Sequence, residues 1–237
     1  MTKLLLFDVD NTLAHSGQKL DSAMQEKLAQ LHNDGYCLGI VGGGTFTKIR
    51  EQLGESFELF DHVFSECGCL YHYKGVLQYQ NNIKQHSSID NIDKIIKQAL
   101  LYFSSVPYRL CGHLIDYRNG IVYISCIGMD ANQSERADFL ANHLHHRDEL
   151  LQILQCLKIP NISIKKGGSV GIAVYPSEWS KAQVVDVLKQ FEYEEIFYYG
   201  DSYGVDGNDT ELLNHPQVRG IVVKDPNDTR LVLSGKV

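Results

Sequence analysis

Phe7-Asp8-Val9-Asp10-Asn11-Thr12-Leu13 is the stretch on which the fold turns. It continues an apolar run that starts at Leu4 and it ends in a polar turn. A short, continuous apolar run of this kind reads as a strand buried on both faces of a parallel sheet. Carboxylates at the C-terminal end of such a strand stand where open α/β sheets bind their ligands. Side chains two apart on a strand point the same way, so Asp8 and Asp10 are expected side by side. Like charges held that close repel, and a cation or a shared proton has to offset them. Mg²⁺ meets the requirement, because it takes oxygen ligands and keeps waters and a substrate phosphate as the rest. A lone Asp here would be read as the end of a strand; the heptad as a whole is read as a site.

The pattern that follows is α/β. Leu20, Met24, Leu28 and Leu31 recur at helical spacing, with Asp21 as N-cap and Gly35 as the stop. A second strand over residues 36–41 ends in Gly42-Gly43-Gly44-Thr45. Glycines there let backbone N–H groups approach an anion, and the helix that follows favours negative charge at its start. Gly43, Gly44 and Thr45 are therefore expected to cradle phosphate. Phe46, Ile49 and Leu53 give that helix its inward face, Val63 and Phe64 suggest a third strand, and residues 71–79 suggest a hairpin around Lys74-Gly75.

After about residue 82 the rhythm changes. A helix through Ile92, Ile96 and Phe103 precedes two strand-like runs, 109–117 and 121–127, on either side of Arg118-Asn119-Gly120. Asn-Gly between apolar residues is a strong hairpin signal. A polar helical stretch through Leu150, Leu154 and Leu157 leads to a second strand pair, 162–165 and 170–175. Helix, hairpin, helix, hairpin describes an antiparallel sheet with helices on one face. From Pro176 the α/β pattern returns: a helix capped by Ser180, a strand 196–199 ending in Gly200-Asp201, a last strand 220–223, and a short helix after Asp225-Pro226. The expected architecture is a Rossmann-like α/β core, 1–82 and 175–237, with an α+β cap, 83–174, inserted into it.

Composition narrows the function classes. A net charge of -7 argues against nucleic-acid binding, and 43% hydrophobic residues are enough for a real core. Asp8 interrupts the N-terminal apolar run too early for a signal peptide, and no apolar run approaches membrane-spanning length. Six scattered cysteines, with Cys67-Gly68-Cys69 lacking a second pair at zinc-finger spacing, read as reduced thiols in a cytoplasmic protein. His143, His145 and His146 lack an acidic or cysteine partner at suitable spacing and read as a polar helix rather than a metal site.

The first heptad resembles the DxDx[TV] motif of the haloacid dehalogenase-like phosphotransferases. That resemblance implies a nucleophilic Asp8, Asp10 as general acid/base, and an aspartyl-phosphate intermediate. Mg²⁺ would be held by Asp8, the backbone carbonyl of Asp10 and Asp201, with Asp209 orienting the ion or its waters. Lys181 would neutralise nucleophile and phosphate. Phosphoryl transfer depends mainly on positioning and charge stabilisation, which this set supplies.

Over nearly its full length the chain resembles the eukaryotic-type phosphomannomutase branch. Matching stretches include Val41-Gly42-Gly43, Ser65-Glu66-Cys67-Gly68, Arg118-Asn119-Gly120, Glu135-Arg136, Trp179-Ser180-Lys181 and Gly207-Asn208-Asp209. The resemblance implies that the insert closes over a sugar phosphate, that Arg118 and Arg136 line its inner face, and that the protein dimerises through its caps. A guanidinium suits that task, since it grips phosphate with fixed geometry. The chain also departs from the branch. Gly17, Met129, Gly171 and Ala173 stand where the branch has arginine, arginine, serine and aspartate, and Gly44 replaces a serine for which Thr45 is a stand-in. The core chemistry is kept and the cap's substrate-reading groups are roughly half removed. These departures lead to a phosphatase of small phosphorylated metabolites, sugar phosphates first, as the main expectation. Phosphomannomutase is the alternative, and an inactive sugar-phosphate-binding protein the third reading.

Overall fold

The computed structural model describes residues 2–235. They form two compact units, residues 2–81 with 179–235, and residues 82–178.

The larger unit is a seven-stranded sheet ordered β11-β10-β1-β2-β3-β4-β5. Its strands are β1 (Thr2–Phe7), β2 (Cys37–Val41), β3 (His62–Ser65), β4 (Leu70–Tyr73), β5 (Val76–Gln80), β10 (Tyr193–Gly200) and β11 (Arg219–Val222). β11, β10, β1, β2 and β3 are parallel, and β4 and β5 add an antiparallel hairpin. β1 is the middle of the parallel part, with Leu4 opposite Ile196 on one side and Cys37 on the other. Its continuous apolar run has a simple cause. Leu5 and Phe7 pack into the core on one face with Leu28, Leu38 and Ile49, while Leu4 and Leu6 pack into the other with Val184, Leu188 and Tyr198. Burying each such side chain stabilises by about 1.5–3 kcal/mol. Helices cover both faces: α1 (Ser22–Asn33), α2 (Phe46–Leu53) and α8 (Pro226–Ser234) on the first, α6 (Val184–Leu188) and α7 (Thr210–Leu213) on the second. Asp21, Thr45 and Asp225 cap α1, α2 and α8 through their side chains; Ser180 makes no such bond, and a short 3₁₀ turn at Lys181–Gln183 precedes α6.

The smaller unit has a four-stranded antiparallel sheet ordered β6-β7-β9-β8: β6 (Ile115–Tyr117), β7 (Val122–Ser125), β8 (Ile162–Gly167) and β9 (Gly171–Pro176). Three helices accompany it, α3 (Ile89–Phe103), α4 (Gln133–Asp138) and α5 (His145–Cys156). Two expectations need correction. The boundary placed at 174/175 falls inside β9, whose pairing with β7 and β8 keeps that strand in the insert through Pro176. The expected strand over 109–117 is mostly loop, because Gly112 and Gly128 take positive φ and Cys111 bonds with Ile127 and Asp130 outside any ladder. No helix among the described residues is long and apolar enough to cross a membrane. All six cysteines are free, and four of them (Cys37, Cys67, Cys69 and Cys126) are buried.

Candidate active site

Asp8 follows the last residue of β1, and its N–H still bonds to Tyr199 of β10 at 2.9 Å. Its carboxylate is buried and accepts from Lys181 Nζ at 2.7 Å. Lys181 is fully buried and reaches Asp209 Oδ1 at 2.6 Å with the same ammonium. Asp8 and Lys181 are brought together across 173 positions of sequence. Asp209 packs against Gly200, where any Cβ would come within 2.7 Å of the Asp209 carboxyl carbon. Ser202 N–H donates to Asp209 Oδ2 at 3.0 Å. Tyr198, two residues before Gly200, donates a short hydrogen bond to Asp209 Oδ1.

Asp8, Asp201 and Asp209 each offer a carboxylate oxygen within 4.8 Å of the others. Three carboxylates against one ammonium leave two negative charges in a poorly solvated place. The consequence appears in their acidities. Burial, with Asp209 and Asp201 nearby, pushes Asp8 up to about 8 although Lys181 opposes it. Burial and Asp209 push Asp201 up to about 6. Burial also works against the charge of Lys181, yet Asp209 and Asp8 hold its pKa well above the ordinary lysine value. A hard oxygen donor set carrying an excess of two negative charges suits a divalent cation such as Mg²⁺.

Asp10 lies elsewhere than the strand argument placed it. Both carboxylates fall beyond the end of β1, and Asn11 turns the chain at φ 61°. Asp10 Oδ2 accepts from Lys48 Nζ at 2.9 Å, and Oδ1 accepts from Gln52 Nε2 and from Gly17 N–H, both at 2.9 Å. Burial alone would raise its pKa, but Lys48, Gly17 and Gln52 hold it below the usual carboxylate range. The repulsion between Asp8 and Asp10 is thus met by a separate lysine for each. Gly17 is more than a missing side chain, because at φ +74° it donates to Asp10 from a backbone conformation that favours glycine.

The glycine loop is adjacent. A Cβ at Gly42 would touch Val9 and Ile49, and one at Gly43 would approach Asn208 and Cys67. Thr45 caps α2, its Oγ1 accepting from Lys48 N–H at 3.3 Å, which leaves its own proton to donate. Burial pushes the neighbouring thiols of Cys67 and Cys69 up to about 12, so neither is a nucleophile near neutral pH.

Arg118 and Arg136 belong to the other unit. Asp116 accepts from Arg118 Nε at 2.8 Å, and the Arg118 guanidinium lies 4.8 Å from the Tyr123 ring centroid. Arg136 donates to the carbonyls of Ala131 at 3.0 Å and Met129 at 3.2 Å, so much of its guanidinium braces a loop. The histidine run has the acidic partner it was expected to lack: Glu149 groups with His145 and His146 within 4.8 Å. Tyr102 donates to Glu149 at 2.8 Å and bonds His146 Nδ1 at 2.7 Å, so these groups already serve one another.

Nothing in the sequence pattern singles out Lys48, Gln52 or Tyr198. Lys48 and Gln52 are four apart on α2 and so share a helix face, a signal that reads as surface charge until Asp10 is placed beside it. Tyr198 reads as a core aromatic of a buried strand, and nothing in its spacing points to Asp209.

A sequence profile described as eukaryotic phosphomannomutase matches residues 24–235. Phosphomannomutase 2 of Dictyostelium discoideum is 34% identical over 238 residues, covering 98% of this chain and 95% of that protein. Human phosphomannomutase 1 is 32% identical over 235 residues, covering 95% and 88%. A solved trehalose-6-phosphate phosphatase related protein has a TM-score of 0.56 at 16% identity, covering 98% of this chain and 96% of its own. A haloacid dehalogenase-like hydrolase from Bacteroides thetaiotaomicron gives 0.55 at 17% identity, covering 90% and 85%. At such identities the two structures speak for the fold, while the profile and the near full-length relatives speak for kinship. The chain belongs to the eukaryotic phosphomannomutase family, on the haloacid dehalogenase fold.

Proposed function

We propose that the protein is a phosphomannomutase that moves a phosphoryl group between positions of a hexose phosphate through Asp8. The observation that carries this reading is the buried Lys181 ammonium between Asp8 and Asp209, with Asp201 beside them, in a chain of this family. Kinship puts the mutase ahead of the phosphatase that Met129, Gly171 and Ala173 had suggested.

In the first half-reaction an Asp8 oxygen forms a bond to phosphorus as the bond to the sugar oxygen breaks. Lys181 holds that carboxylate in place and offsets charge as it builds. Asp10 hands to the departing oxygen the proton it takes up whenever phospho-Asp8 gives its phosphoryl group to a sugar hydroxyl. In the return step a sugar hydroxyl attacks phospho-Asp8, its proton passes to Asp10, and Asp8 leaves as the carboxylate. The lowered pKa of Asp10 suits this second step, because an ionised carboxylate is ready to accept that proton. Asp8, Asp201 and the backbone of Asp10 would hold Mg²⁺, which when bound supplies charge stabilisation to the transferring phosphoryl. Gly43, Gly44 and Thr45 bind the phosphate, and Arg118 and Arg136 are assigned to the substrate's distal end.

A coupled assay of mannose 1-phosphate conversion, with a hexose bisphosphate present, should run beside a phosphate-release assay. Interconversion is expected to exceed release, and Asp8→Asn or chelation of divalent metal should abolish both. Efficient release without interconversion would return the phosphatase to first place, and turnover by Asp8→Asn would remove the proposed nucleophile.

A further inference from the structure

Tyr123 of β7 stands directly across from Asp116 of β6 and Ala173 of β9. The alternate positions, Val122, Ile124, Ile172 and Val174, are apolar and fully buried on the opposite face of the sheet. The Tyr123 ring runs over glycine. A Cβ on Gly171 would stand 2.2 Å from its Cζ, and one on Gly167 would stand 3.0 Å from its Cε2. Side-chain carbons do not approach to 2.2 Å, so a residue larger than glycine at 171 must displace the ring. Above the ring lies the Arg118 guanidinium, 4.8 Å from the centroid, tied through Nε to Asp116 at 2.8 Å. The Arg118 side chain is only 12% exposed, so the stack is largely sheltered from water and screened little. The serine and aspartate that the resemblance places at 171 and 173 have thus been exchanged for something. Glycine makes room for an aromatic ring, and the ring with Asp116 fixes the plane of a guanidinium.

We propose that Tyr123 is a positioning residue of the substrate site: it holds Arg118 in one plane for the phosphate of a sugar phosphate, and Gly171 is the position that admits it. The proposal rests on the phosphate-binding role given to Arg118 above. A planar guanidinium binds phosphate through paired donors, and it does so more tightly when its plane is set beforehand.

The test is steady-state kinetics of the full-length protein with mannose 1-phosphate. Tyr123→Ala should raise KM by about three- to tenfold, the range of a partly sheltered cation–π contact, with the loss falling on KM rather than kcat. Tyr123→Phe keeps the ring and should restore the wild-type KM. Gly171→Ser should raise KM as Tyr123→Ala does, and the double variant should be no worse than either single one. If Gly171→Ser fails to fold, the Tyr123→Ala and Tyr123→Phe pair decides alone. An unchanged KM in Tyr123→Ala, beside a raised KM in Arg118→Ala, would overturn the brace while leaving the role of Arg118 intact. An unchanged KM in Arg118→Ala would remove that role and the proposal with it. Tyr123→Phe performing as badly as Tyr123→Ala would show that the hydroxyl, not the ring face, is what counts, and would also overturn the proposal.

Discussion

Replacing Lys181 by Met keeps the length and most of the volume of the side chain and removes its charge. In the folded protein this strands Asp8 and Asp209, whose oxygens lie 2.7 and 2.6 Å from the lost ammonium in a fully buried position. Removing one partner of a buried ion pair costs about 3–5 kcal/mol, because the remaining charge is left unsolvated. A domain of this size loses about 2–4 °C of melting temperature per kcal/mol, so the expected drop is roughly 6–20 °C. Two compensations limit the drop. Asp8 already binds a proton readily, with its pKa pushed up to about 8, and can neutralise itself. A divalent cation among Asp8, Asp201 and Asp209 can replace part of the missing charge. Melting followed by calorimetry or fluorescence, with chelator and then with millimolar Mg²⁺, should therefore show a large drop that Mg²⁺ partly reverses. A drop below about 2 °C in chelator would refute the view that Lys181 neutralises buried carboxylates.

Three further outcomes are expected. Asp10→Asn should slow transfer from sugar phosphates far more than from nitrophenyl phosphate, whose leaving group needs little protonation; equal loss on both would assign Asp10 to structure. In chelator the folded pKa of Asp8, about 8, lies above its unfolded value, so its proton stabilises the native state at low pH and that contribution is lost as pH rises toward 8. His62, whose folded value burial lowers to about 4, works in the opposite sense only below about 6.5, so between pH 6.5 and 8 wild type should lose stability relative to Asp8→Asn; parallel curves would contradict this. Light scattering should give a mass near twice 26.8 kDa if the chain pairs through its insert as the resemblance implies, and a Leu101→Glu change on the 65% exposed flank of α3 should weaken that pairing; a monomer at all concentrations would count against it.

What could be read from the sequence was what local chemistry constrains. Asp8 stood out by its place at the end of a buried strand, Lys181, Asp201 and Asp209 were named through the resemblance to the haloacid dehalogenase-like motifs, and the structure brings the four side chains together. The seven-stranded core was legible from strand and helix periodicity, since a short continuous apolar run such as Leu4 to Phe7, ended by a polar turn, suits a strand buried on both faces. Lys48, Gln52 and Gly17 escaped because their partner, Asp10, lies beyond the end of β1, where the strand alternation no longer says which way its side chain points. The run 109–117 read as a strand because it is partly apolar and leads into the Asn-Gly turn, yet loop contacts around Gly112 and Gly128 override that preference.

The middle of the parallel sheet joins the two ends of the chain: β1 pairs with β10, Leu4 opposite Ile196. During synthesis the first strand therefore has β2 on one side and an unpaired edge on the other until the ribosome has passed residue 200. The insert, residues 82–178, is by then complete and free to fold from its own contacts. At about 5–20 residues per second, the exposed edge of β1 persists for about ten seconds or longer. A long unpaired apolar strand is a template for association with other chains. The strand that leads into Asp8 is thus both the centre of the finished sheet and the piece most in need of a chaperone while the chain is being made.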